Sequence, residues 1–426
     1  MSTILSPNTL PDTARARSGA QRCRFCATPL EQTFVDLGMT PLCETYPRVE
    51  DLNRMEPYYP LHVYVCGKCF LVQLDEYESP EHIFTEYAYF SSYSDSWLDH
   101  ARRYCEQMIG RFGLNAGSSV VEVASNDGYL LQYFVERGIP ALGIEPAANV
   151  ARAAVEKGVP TLVKFFGTEL ARELAAEGRQ ADLVLGNNVL AQVPDLNDFV
   201  EGLRILLKPG GVLTLEFPHL VCLMERNEFD TIYHEHFSYF SLLTTCRIFE
   251  AHGMKVFDVE ELPTHGGSLR VYGCRAEDPR PVLENVGRLL ALERKAGLDT
   301  LAGYENFEPK VRQTKWALLE FLLAAKRAGK SVAGYGAPGK GTTMLHYCGI
   351  GRDLLAYTVD RSLYKQGRVL PGNHIPIYHP DKIRETKPDY VLILPWNLKD
   401  EIVKQMAYIR EWGGRFVVPI PELEIL

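Results

Sequence analysis

The feature that most constrains this chain is a pair of cysteine doublets near its N-terminus. Cys23 and Cys26 are separated by two residues, and Cys66 and Cys69 repeat that spacing about forty residues later. Two such doublets can supply the four thiolates of one tetrahedral zinc site, which leaves no position for a reacting water. A disulfide or four unpaired core thiols are the alternative. The spacing therefore predicts a structural zinc ion in a small N-terminal module.

Length and composition indicate a globular protein with more than one domain. The 426 residues are too many for a single core, and 46% hydrophobic with 23% charged residues is ordinary for soluble domains. A net charge of -9 argues against general nucleic-acid binding. The six cysteines outside the doublets show no paired spacing, which favours a reducing compartment, and residues 1–22 predict a disordered tail rather than a signal peptide. We expect a cytoplasmic protein without a membrane partner.

Beyond the zinc module, predicted over residues 23–80, short apolar runs alternate with segments of helix length. Such runs occur between residues 120 and 216 and again between residues 331 and 419. Alternation of this kind is typical of a parallel sheet with helices on both faces. We therefore predict an α/β protein with a doubly wound domain over 81–280, a helical linker over 281–328 and a Rossmann-like domain over 329–426.

Polar and acidic residues follow the strands of the first α/β domain. Ligands of doubly wound sheets bind beyond the carboxyl ends of the strands, so these residues are candidates for holding a nucleoside ligand. Gly128 permits a tight turn, and Glu145 can accept both hydroxyls of a ribose unless it is a solvated surface residue. The loop lacks the G-x-G-x-x-G spacing of a dinucleotide site. The predicted cofactor-binding residues are Glu122, Ser125, Asn126, Asp127, Gly128, Glu145 and Asn187, with Asn188 able to face cofactor or substrate.

At this point the chain resembles the S-adenosylmethionine-dependent methyltransferases. The acidic first strand, the glycine-bearing loop, the acidic end of the second strand and the Lys208-Pro-Gly-Gly211 turn carry this resemblance. The zinc doublets, Tyr233-His-Glu-His236 and Gly334-Tyr-Gly-Ala-Pro-Gly-Lys-Gly341 resemble one narrower family, the nucleotide-sugar C-methyltransferases of deoxysugar and antibiotic biosynthesis. The resemblance covers nearly the whole chain from Cys23. It implies S-adenosylmethionine as methyl donor and a dTDP-linked 4-keto deoxysugar as substrate.

The run from Tyr233 to His236 concentrates four acid-base side chains in four residues. From the residues alone, a second metal site or a polar loop around one buried histidine is also open. The resemblance implies that His236 removes the proton beside the ketone, while Tyr233 and Glu235 position the substrate or orient the imidazole. A neutral histidine can act as this base, and the enolate needs a donor. The candidate donors are Tyr87, Asn188 and Tyr233.

One position departs from the family's pattern. Gln192 follows the fourth strand, where the family often carries histidine. An amide side chain donates hydrogen bonds but cannot shuttle a proton at neutral pH. We therefore expect no mechanism that uses a second histidine at this position, and methylation at C-3 or at C-5 of the sugar stays open.

The second α/β domain opens with the glycine-rich loop, between a strand and a helix. The loop satisfies G-x-G-x-x-G, but Gly341 stands where a Walker loop needs Ser or Thr. A helix N-terminus with free amides binds any pyrophosphate, and the resemblance implies that of a nucleotide sugar. The predicted substrate-binding residues are Gly336, Ala337, Lys340, Gly341, Asp360 and Lys365, with Lys340 neutralising phosphate charge.

Three functions compete on this sequence. The resemblance favours an S-adenosylmethionine-dependent C-methyltransferase with structural zinc, acting as a monomer on a small-molecule nucleotide sugar. An NAD(P)-dependent oxidoreductase that uses the glycine-rich loop is the main alternative. A zinc-ribbon binding protein with a decayed enzyme core is the third. Binding of S-adenosylmethionine without NAD binding separates the first from the second, and detectable methyl transfer excludes the third.

Overall fold

The computed structural model describes residues 21–80, 83, 90–93 and 95–426. Most of the predicted disordered tail, residues 1–20, and Tyr87 lie outside the described residues. The described chain forms three β-sheets, which follow the predicted order of a zinc module and two α/β units. No helix in this part of the chain has the length and apolar content needed to cross a bilayer.

The first sheet belongs to the zinc module. Its four antiparallel strands are, in spatial order, β1 (Gln32–Thr40), β2 (Tyr59–Val65), β3 (Val72–Leu74) and β9 (Ser238–Tyr239). In β2, buried Leu61, Val63 and Val65 alternate with partly exposed neighbours, the period of a strand with one face on a core. Because β9 comes from far along the chain, the first α/β unit completes the sheet of the zinc module.

The second sheet has seven strands and forms the first α/β unit. They are β4 (Val120–Val123), β5 (Ala141–Ile144), β6 (Thr161–Leu162), β7 (Ala181–Asn187), β8 (Leu207–Pro218), β10 (Met254–Leu262) and β11 (Ser268–Arg275). The spatial order is β10-β11-β8-β7-β4-β5-β6, with β4 to β8 parallel and β10 and β11 antiparallel. Val120 packs in one core and Val121 in another, so β4 is covered on both faces.

The helices of this unit lie between its strands. They are α1 (Asp95–Phe112), α2 (Gln132–Glu136), α3 (Ala148–Glu156), α4 (Thr168–Ala176), α5 (Leu196–Leu206), α6 (Leu220–Glu225) and α7 (Leu242–Ala251). The predicted Lys208–Gly211 turn before a strand differs from the structure. These four residues lie inside β8, where the register against β7 jumps between Leu207 and Val212 and the chain bulges.

The third sheet forms the second α/β unit. Its strands are, in spatial order, β14 (Ile377–Tyr378), β13 (Thr358–Val359), β12 (Val332–Tyr335), β15 (Tyr390–Ile393), β16 (Arg415–Val418) and β17 (Glu424–Ile425). All pairs are parallel except that of β16 with β17. The helices are α10 (Gly339–Cys348), α11 (Lys382–Thr386) and α12 (Lys399–Gln405). The predicted α/β fold class, with a Rossmann-like C-terminal unit, is confirmed.

The predicted linker contains two helices that pack on the other units. They are α8 (Glu284–Lys295) and α9 (Phe307–Arg327). On α8, fully buried Glu293 accepts the first backbone amides of α7 at 2.6 and 2.7 Å. At the start of α9, Phe307 stacks on Phe34 of β1 with ring centroids 4.6 Å apart. One hydrophobic core also runs from the zinc module through α6 into the third sheet, so the three units pack against one another.

Candidate functional site

The four doublet cysteines come together as predicted. Their sulfur atoms all lie within 4.8 Å of one another, and the closest pairs are Cys23 with Cys69 at 3.4 Å and Cys26 with Cys66 at 3.5 Å. Zinc-sulfur bonds of about 2.3 Å in a tetrahedron place the sulfurs about 3.8 Å apart. The four thiols therefore fit one tetrahedral zinc ion with a closed ligand shell.

Neighbouring groups hold the sulfurs in place. Gln73 of β3 donates from Nε2 to Cys23 Sγ at 3.2 Å and accepts the backbone N–H of Arg24 at 2.9 Å. The backbone N–H of Lys68 points to Cys66 Sγ at 3.4 Å. Hydrogen bonds of this kind orient metal ligands and offset the charge of the thiolates. The site is built for a structural ion, without a free coordination position.

The loop after β4 has the shape expected of a cofactor loop. Ala124, Asn126 and Gly128 all have positive φ, at 58°, 48° and 73°. A side chain on Gly128 would meet Val159 and Ala154 at 3.0 to 3.2 Å, so this position needs glycine for both conformation and space. The backbone therefore folds back over the end of the sheet, where nucleoside ligands bind in doubly wound folds.

Glu145, at the end of β5, holds this loop. Its Oε2 accepts the Asn126 N–H and its Oε1 accepts the Ala147 N–H, both at 2.9 Å. Each carboxylate oxygen keeps a second lone pair, so both can also accept a ribose hydroxyl. The side chain is 5% exposed, and burial raises its pKa. The structure thus adds a loop-organising role to the predicted ribose contact.

Several buried polar atoms around the loop await a partner. Ser125 Oγ, Asp127 Oδ1 and Asn187 Oδ1 have no hydrogen-bond partner among the described residues. The other oxygen of Asp127 is paired with Lys157 Nζ at 2.9 Å. Buried polar atoms are usually hydrogen-bonded, so unpaired ones at a strand edge suit a polar ligand. This part of the site fits S-adenosylmethionine.

Glu122 lies one residue before the end of β4, near Glu145 and Asp127. It is fully buried on β4, and neither carboxyl oxygen has a partner among the described residues. Burial raises its pKa well above the ordinary value, and the nearby carboxylates of Glu145 and Asp127 raise it further. Because burial and these carboxylates both disfavour ionisation, Glu122 is a neutral carboxylic acid inside the sheet. The cofactor contact predicted for Glu122 stays a prediction.

Replacing Glu145 by glutamine should weaken S-adenosylmethionine binding about 10- to 100-fold. The amide keeps one acceptor but turns an NH₂ group toward a backbone N–H, and a hydrogen bond to a charged group contributes about 1.5–3 kcal/mol. Calorimetric titration measures the change. Glu156→Gln is the matched control, since Glu156 is exposed at the end of α3. Unchanged affinity in Glu145→Gln would contradict the loop-organising role.

The side chains from Tyr233 to His236 point to different neighbours. His234 donates from Nε2 to the carbonyl of Pro60 at 3.1 Å, and burial lowers its pKa to about 4. Tyr233 and His236 face each other, with ring centroids 4.1 Å apart. Glu235 turns toward the zinc module and accepts the Cys43 thiol at 3.8 Å. The run therefore ties together separate units instead of forming one metal site.

His236 is held as a neutral base. Its Nδ1 bonds the Thr231 carbonyl at 3.1 Å. Because a carbonyl only accepts, Nδ1 carries the proton and Nε2 keeps a free lone pair. Burial lowers the pKa of His236 to about 4, and the positive charge of Lys340 contributes in the same direction. Its ring borders a small cavity, which is lined by Ala191, Phe217, Pro218, Leu220, Leu223, Thr231, Ser238, Tyr239 and Phe240.

The partner that orients the His236 ring is the Thr231 carbonyl rather than Glu235. Burial raises the pKa of Glu235 to about 8, and nearby Glu44 raises it further.

Gln192 is the last residue of a 3-10 turn, Leu190–Gln192. This turn lies beside the segment that contains His236, since the Phe237 N–H donates to the Ala191 carbonyl at 2.7 Å. The residue that replaces the family's frequent histidine thus lies close to His236.

Several groups of the glycine-rich loop, the predicted pyrophosphate cradle, are hydrogen-bonded within the protein. The Ala337 N–H already bonds Asp360 Oδ2 at 2.7 Å, and the Ala337 carbonyl accepts Tyr46 Oη at 2.7 Å and Lys365 Nζ at 2.9 Å. Gly336, at φ 88°, lies so close to Pro395 that a Cβ would collide with it. Asp360 and Lys365 therefore shape the loop and join it to the zinc module.

The start of α10 is covered in the same way. A Cβ on Gly339 would lie 2.9 Å from both Cys43 Sγ and Glu44 Oε1, and one on Gly341 would lie 3.2 Å from Leu394. The carboxylate of Glu44 therefore lies near the first turn of α10, where a negative charge would repel a phosphate. Binding of a pyrophosphate by this loop stays a prediction.

Lys340 points toward the acid-base residues. Its Nζ donates to Asn397 Oδ1 at 2.9 Å and lies 4.5 Å from the centre of the Trp396 ring. Burial lowers the pKa of Lys340, while Asp230 and Glu228 raise it. Its ammonium lowers the pKa of both His236 and His265, so it lies within electrostatic reach of both.

His265 is a site residue that the sequence analysis missed. It has a positive φ of 54° between β10 and β11, and its Nε2 accepts the Asn188 side-chain amide at 3.2 Å. Its ring packs edge-on against Trp97 at 5.3 Å. His265 is exposed as a residue, while the protein around its imidazole and the charge of Lys340 lower its pKa. The run of His265 and two glycines was the available sequence signal.

Comparison with known proteins identifies all three units. Residues 23–84 match a family model described as a zinc binding domain, residues 97–259 a methyltransferase domain, and residues 263–421 a C-methyltransferase C-terminal domain. These matches follow the order of the three sheets. The last model begins in the turn between β10 and β11, at the edge of the second sheet.

Two relatives and two solved structures show how far the similarity extends. C-methyltransferase NovU from Streptomyces niveus is 38% identical over 95% of this chain and 96% of its own length. Ubiquinone biosynthesis O-methyltransferase from Chelativorans sp. is 30% identical over 23% of this chain and 39% of its own. The PH0226 protein from Pyrococcus horikoshii OT3 covers 46% of this chain and 97% of its own, at 15% identity and a TM-score of 0.37. Magnesium protoporphyrin IX methyltransferase from Synechocystis PCC 6803, with bound S-adenosylmethionine, covers 42% and 79%, at 15% identity and a TM-score of 0.32.

The assignment of the chain to a family rests on the sequence matches rather than on the solved structures. A C-methyltransferase aligns with nearly the whole chain, and the three family models account for the zinc module, the cofactor-binding sheet and the C-terminal unit in order. The predicted enzyme class, the methyl donor and the zinc ion are thereby confirmed. The protein belongs to the family of zinc-binding, S-adenosylmethionine-dependent C-methyltransferases.

Proposed function

We propose that this C-methyltransferase acts on a dTDP-linked 4-keto deoxysugar, and that His236 removes the proton next to the ketone. The observation that carries the proposal is the state of the His236 ring. Its Nδ1–H is held by the Thr231 carbonyl, and its pKa of about 4 leaves Nε2 unprotonated at neutral pH. A histidine in this state is ready to accept a proton from carbon.

Transfer of a methyl group to carbon requires that the carbon first become nucleophilic. A proton next to a ketone is acidic enough for a well-placed base, provided that the enolate oxygen is stabilised. His236 Nε2 takes this proton, and Tyr233, whose ring lies 4.1 Å from the imidazole, is placed to donate to the sugar. Bound S-adenosylmethionine supplies the methyl group. Ser125, Asp127, Glu145 and Asn187 would hold it at the strand ends.

The oxidoreductase alternative is disfavoured by the match of nearly the whole chain to a C-methyltransferase. A decayed enzyme core is disfavoured by the retained neutral base at His236. Methyl transfer to a keto sugar accounts for the base, the polar strand ends and the family together.

The remaining parts of the proposal concern partners and location. We propose a monomer that binds a small nucleotide sugar and works in the cytoplasm. None of the ten cysteines forms a disulfide, which suits a reducing compartment. The zinc ion stays a structural component in this proposal.

Product analysis tests the proposal. The purified protein is incubated with S-adenosylmethionine and a dTDP-4-keto-deoxyhexose, and the product is examined by mass spectrometry and NMR. We expect one added methyl group on a carbon next to the ketone, and the NMR assignment decides between C-3 and C-5. A reaction without protein controls for spontaneous exchange. A methyl group on oxygen, or no transfer to any 4-keto sugar, would contradict the proposal.

A further inference from the structure

We propose that Lys340 is the cation that stabilises the enolate oxygen formed beside His236. The sequence suggested a different task for this residue, the neutralisation of a phosphate charge. The inference rests on the proposed function, because it requires a ketone as substrate. It assigns a residue of the C-terminal unit directly to the reacting centre.

The first support is the way helix α10 docks. Thr343 of α10 donates from Oγ1 to the Ile232 carbonyl at 2.8 Å, in a buried contact. Lys340 lies three residues before Thr343, so both side chains emerge on the same face of the helix. That face rests on the segment that ends in His236. Lys340 therefore emerges on the face of α10 that contacts Ile232, four residues before His236.

The second support is the platform under the ammonium group. Trp396 donates from Nε1 to both carboxyl oxygens of Asp230, at 3.1 and 2.9 Å, and Asp230 is fully buried. Lys340 Nζ lies over the Trp396 ring at 4.5 Å and is fixed by Asn397 at 2.9 Å. An aromatic face and a buried carboxylate nearby both favour a cation.

The same turn of chain serves both the base and the cation. Phe229–Thr231 is a single 3-10 turn that carries Asp230 and ends in the carbonyl that holds the His236 ring. Asp230 accepts the Trp396 Nε1–H, and Lys340 Nζ lies over the Trp396 ring. The relative position of proton acceptor and positive charge is therefore fixed by adjacent backbone atoms. Such preorganisation is what stabilisation of a developing oxyanion requires.

Electrostatics agree with this placement. The Lys340 charge lowers the pKa of His236 and of His265, which border the cleft from different loops. Burial raises the pKa of Glu228 and of Asp230 to about 7, so near neutral pH these acids only partly cancel the charge of the ammonium. Lys340 is partly buried, and one unit charge acts more strongly there than in bulk water.

The proton-transfer step balances with these groups alone. The C–H bond next to the ketone breaks, and its proton goes to His236 Nε2. The electron pair forms the new C=C bond, and the carbonyl π electrons move onto oxygen. Lys340 stays protonated throughout and donates a hydrogen bond to the negative oxygen. Without this donor the oxyanion would form in a poorly solvated cleft without its cation, which raises the barrier.

Lys340→Met distinguishes stabilisation of the enolate oxygen from neutralisation of a phosphate charge. The full-length zinc-containing protein is incubated in D₂O with a dTDP-4-keto-deoxyhexose, and deuterium incorporation next to the ketone is followed by NMR. We expect the exchange rate at saturating substrate to fall about 10²- to 10³-fold. Binding of dTDP and of the nucleotide sugar, measured by calorimetry, should stay close to that of the wild type. Lys340→Arg should recover part of the exchange, because it keeps the charge.

Lys404→Met serves as the matched control, since Lys404 is exposed on α12 of the same unit. If the methionine variant fails to fold, Lys340→Gln provides the same measurement with a polar side chain. Normal exchange at saturation combined with weakened dTDP binding would overturn the inference and favour the phosphate contact. A wild-type protein that exchanges no proton on any 4-keto sugar would instead refute the proposed function.

Discussion

Replacing His236 by alanine is expected to lower turnover about 10²- to 10⁴-fold, the usual contribution of a general base. Deuterium exchange next to the ketone should fall with it, because the same nitrogen removes the proton. Binding of S-adenosylmethionine and of the nucleotide sugar should persist, since the strand-end residues that hold the cofactor are untouched. Steady-state kinetics, NMR exchange and calorimetry on one preparation measure all three quantities.

His379→Ala is a suitable control, because its side chain is 57% exposed on the C-terminal unit. The control should keep wild-type turnover. Near-normal exchange in His236→Ala would show that another group removes the proton. Loss of ligand binding together with turnover would point to a collapsed cleft, and His236→Gln, which retains a polar side chain, would then be measured for exchange and binding.

The pH profile gives an independent check on the same base. The pKa of His236 is lowered from 6.5 to about 4, so the ring is neutral over a wider range than an ordinary histidine. Protonation inactivates the base only as the pH falls through the folded pKa. The acidic limb of kcat/KM should therefore appear near pH 4 rather than near 6.5. A limb near 6.5 that is absent from His236→Gln would contradict the buried, neutral state.

The positions of the strands were predictable because each of these parallel strands is a short apolar run in the sequence. Val120–Val123 and Ala141–Ile144 are short apolar runs, and the structure gives β4 and β5 these same bounds. Burial on both faces requires apolar residues at nearly every position, so length and composition suffice. The residues after such strands follow from the same rule, which is why the strand-end positions of Ser125, Asp127 and Glu145 could be predicted.

The directions of the side chains from Tyr233 to His236 could not be predicted. These residues lie in a turn, where no helical or strand period fixes which side chain faces which neighbour. The contacts of His234 with Pro60 and of Glu235 with Cys43 depend on how the zinc module docks, and its sheet is completed by β9. Separations of 174 and 192 residues leave no local signal for either contact.

The glycine-rich loop shows a different limit of prediction from the sequence. Its spacing correctly indicated a strand, a tight turn and a helix, because these depend on local backbone conformation. What lies near the helix N-terminus depends on a distant segment, and here the Glu44 carboxylate comes close to Gly339. His265 was missed for a related reason. Its role depends on Asn188, which lies 77 residues away in the sequence.

Loss of the zinc ion should have the largest effect on stability. Cys66→Ser removes one of four thiolates, and structural zinc in small modules contributes about 10–16 kcal/mol of apparent binding free energy at neutral pH. The N-terminal module has few other means of holding Cys23 beside Cys69. We expect the variant to lose its zinc and to unfold at a markedly lower temperature. Metal analysis and thermal unfolding measure the two effects.

The damage should spread beyond the module, because its contacts reach both α/β units. β3 pairs with β9, Tyr46 bonds the Ala337 carbonyl, and Phe34 stacks on Phe307. Limited proteolysis should therefore cut the glycine-rich loop faster in Cys66→Ser than in the wild type. Cys246→Ser is the control, since Cys246 lies outside the four-cysteine cluster and should leave the zinc content unchanged. Wild-type protein without zinc, or a Cys66→Ser variant with wild-type stability, would refute the structural role of the metal.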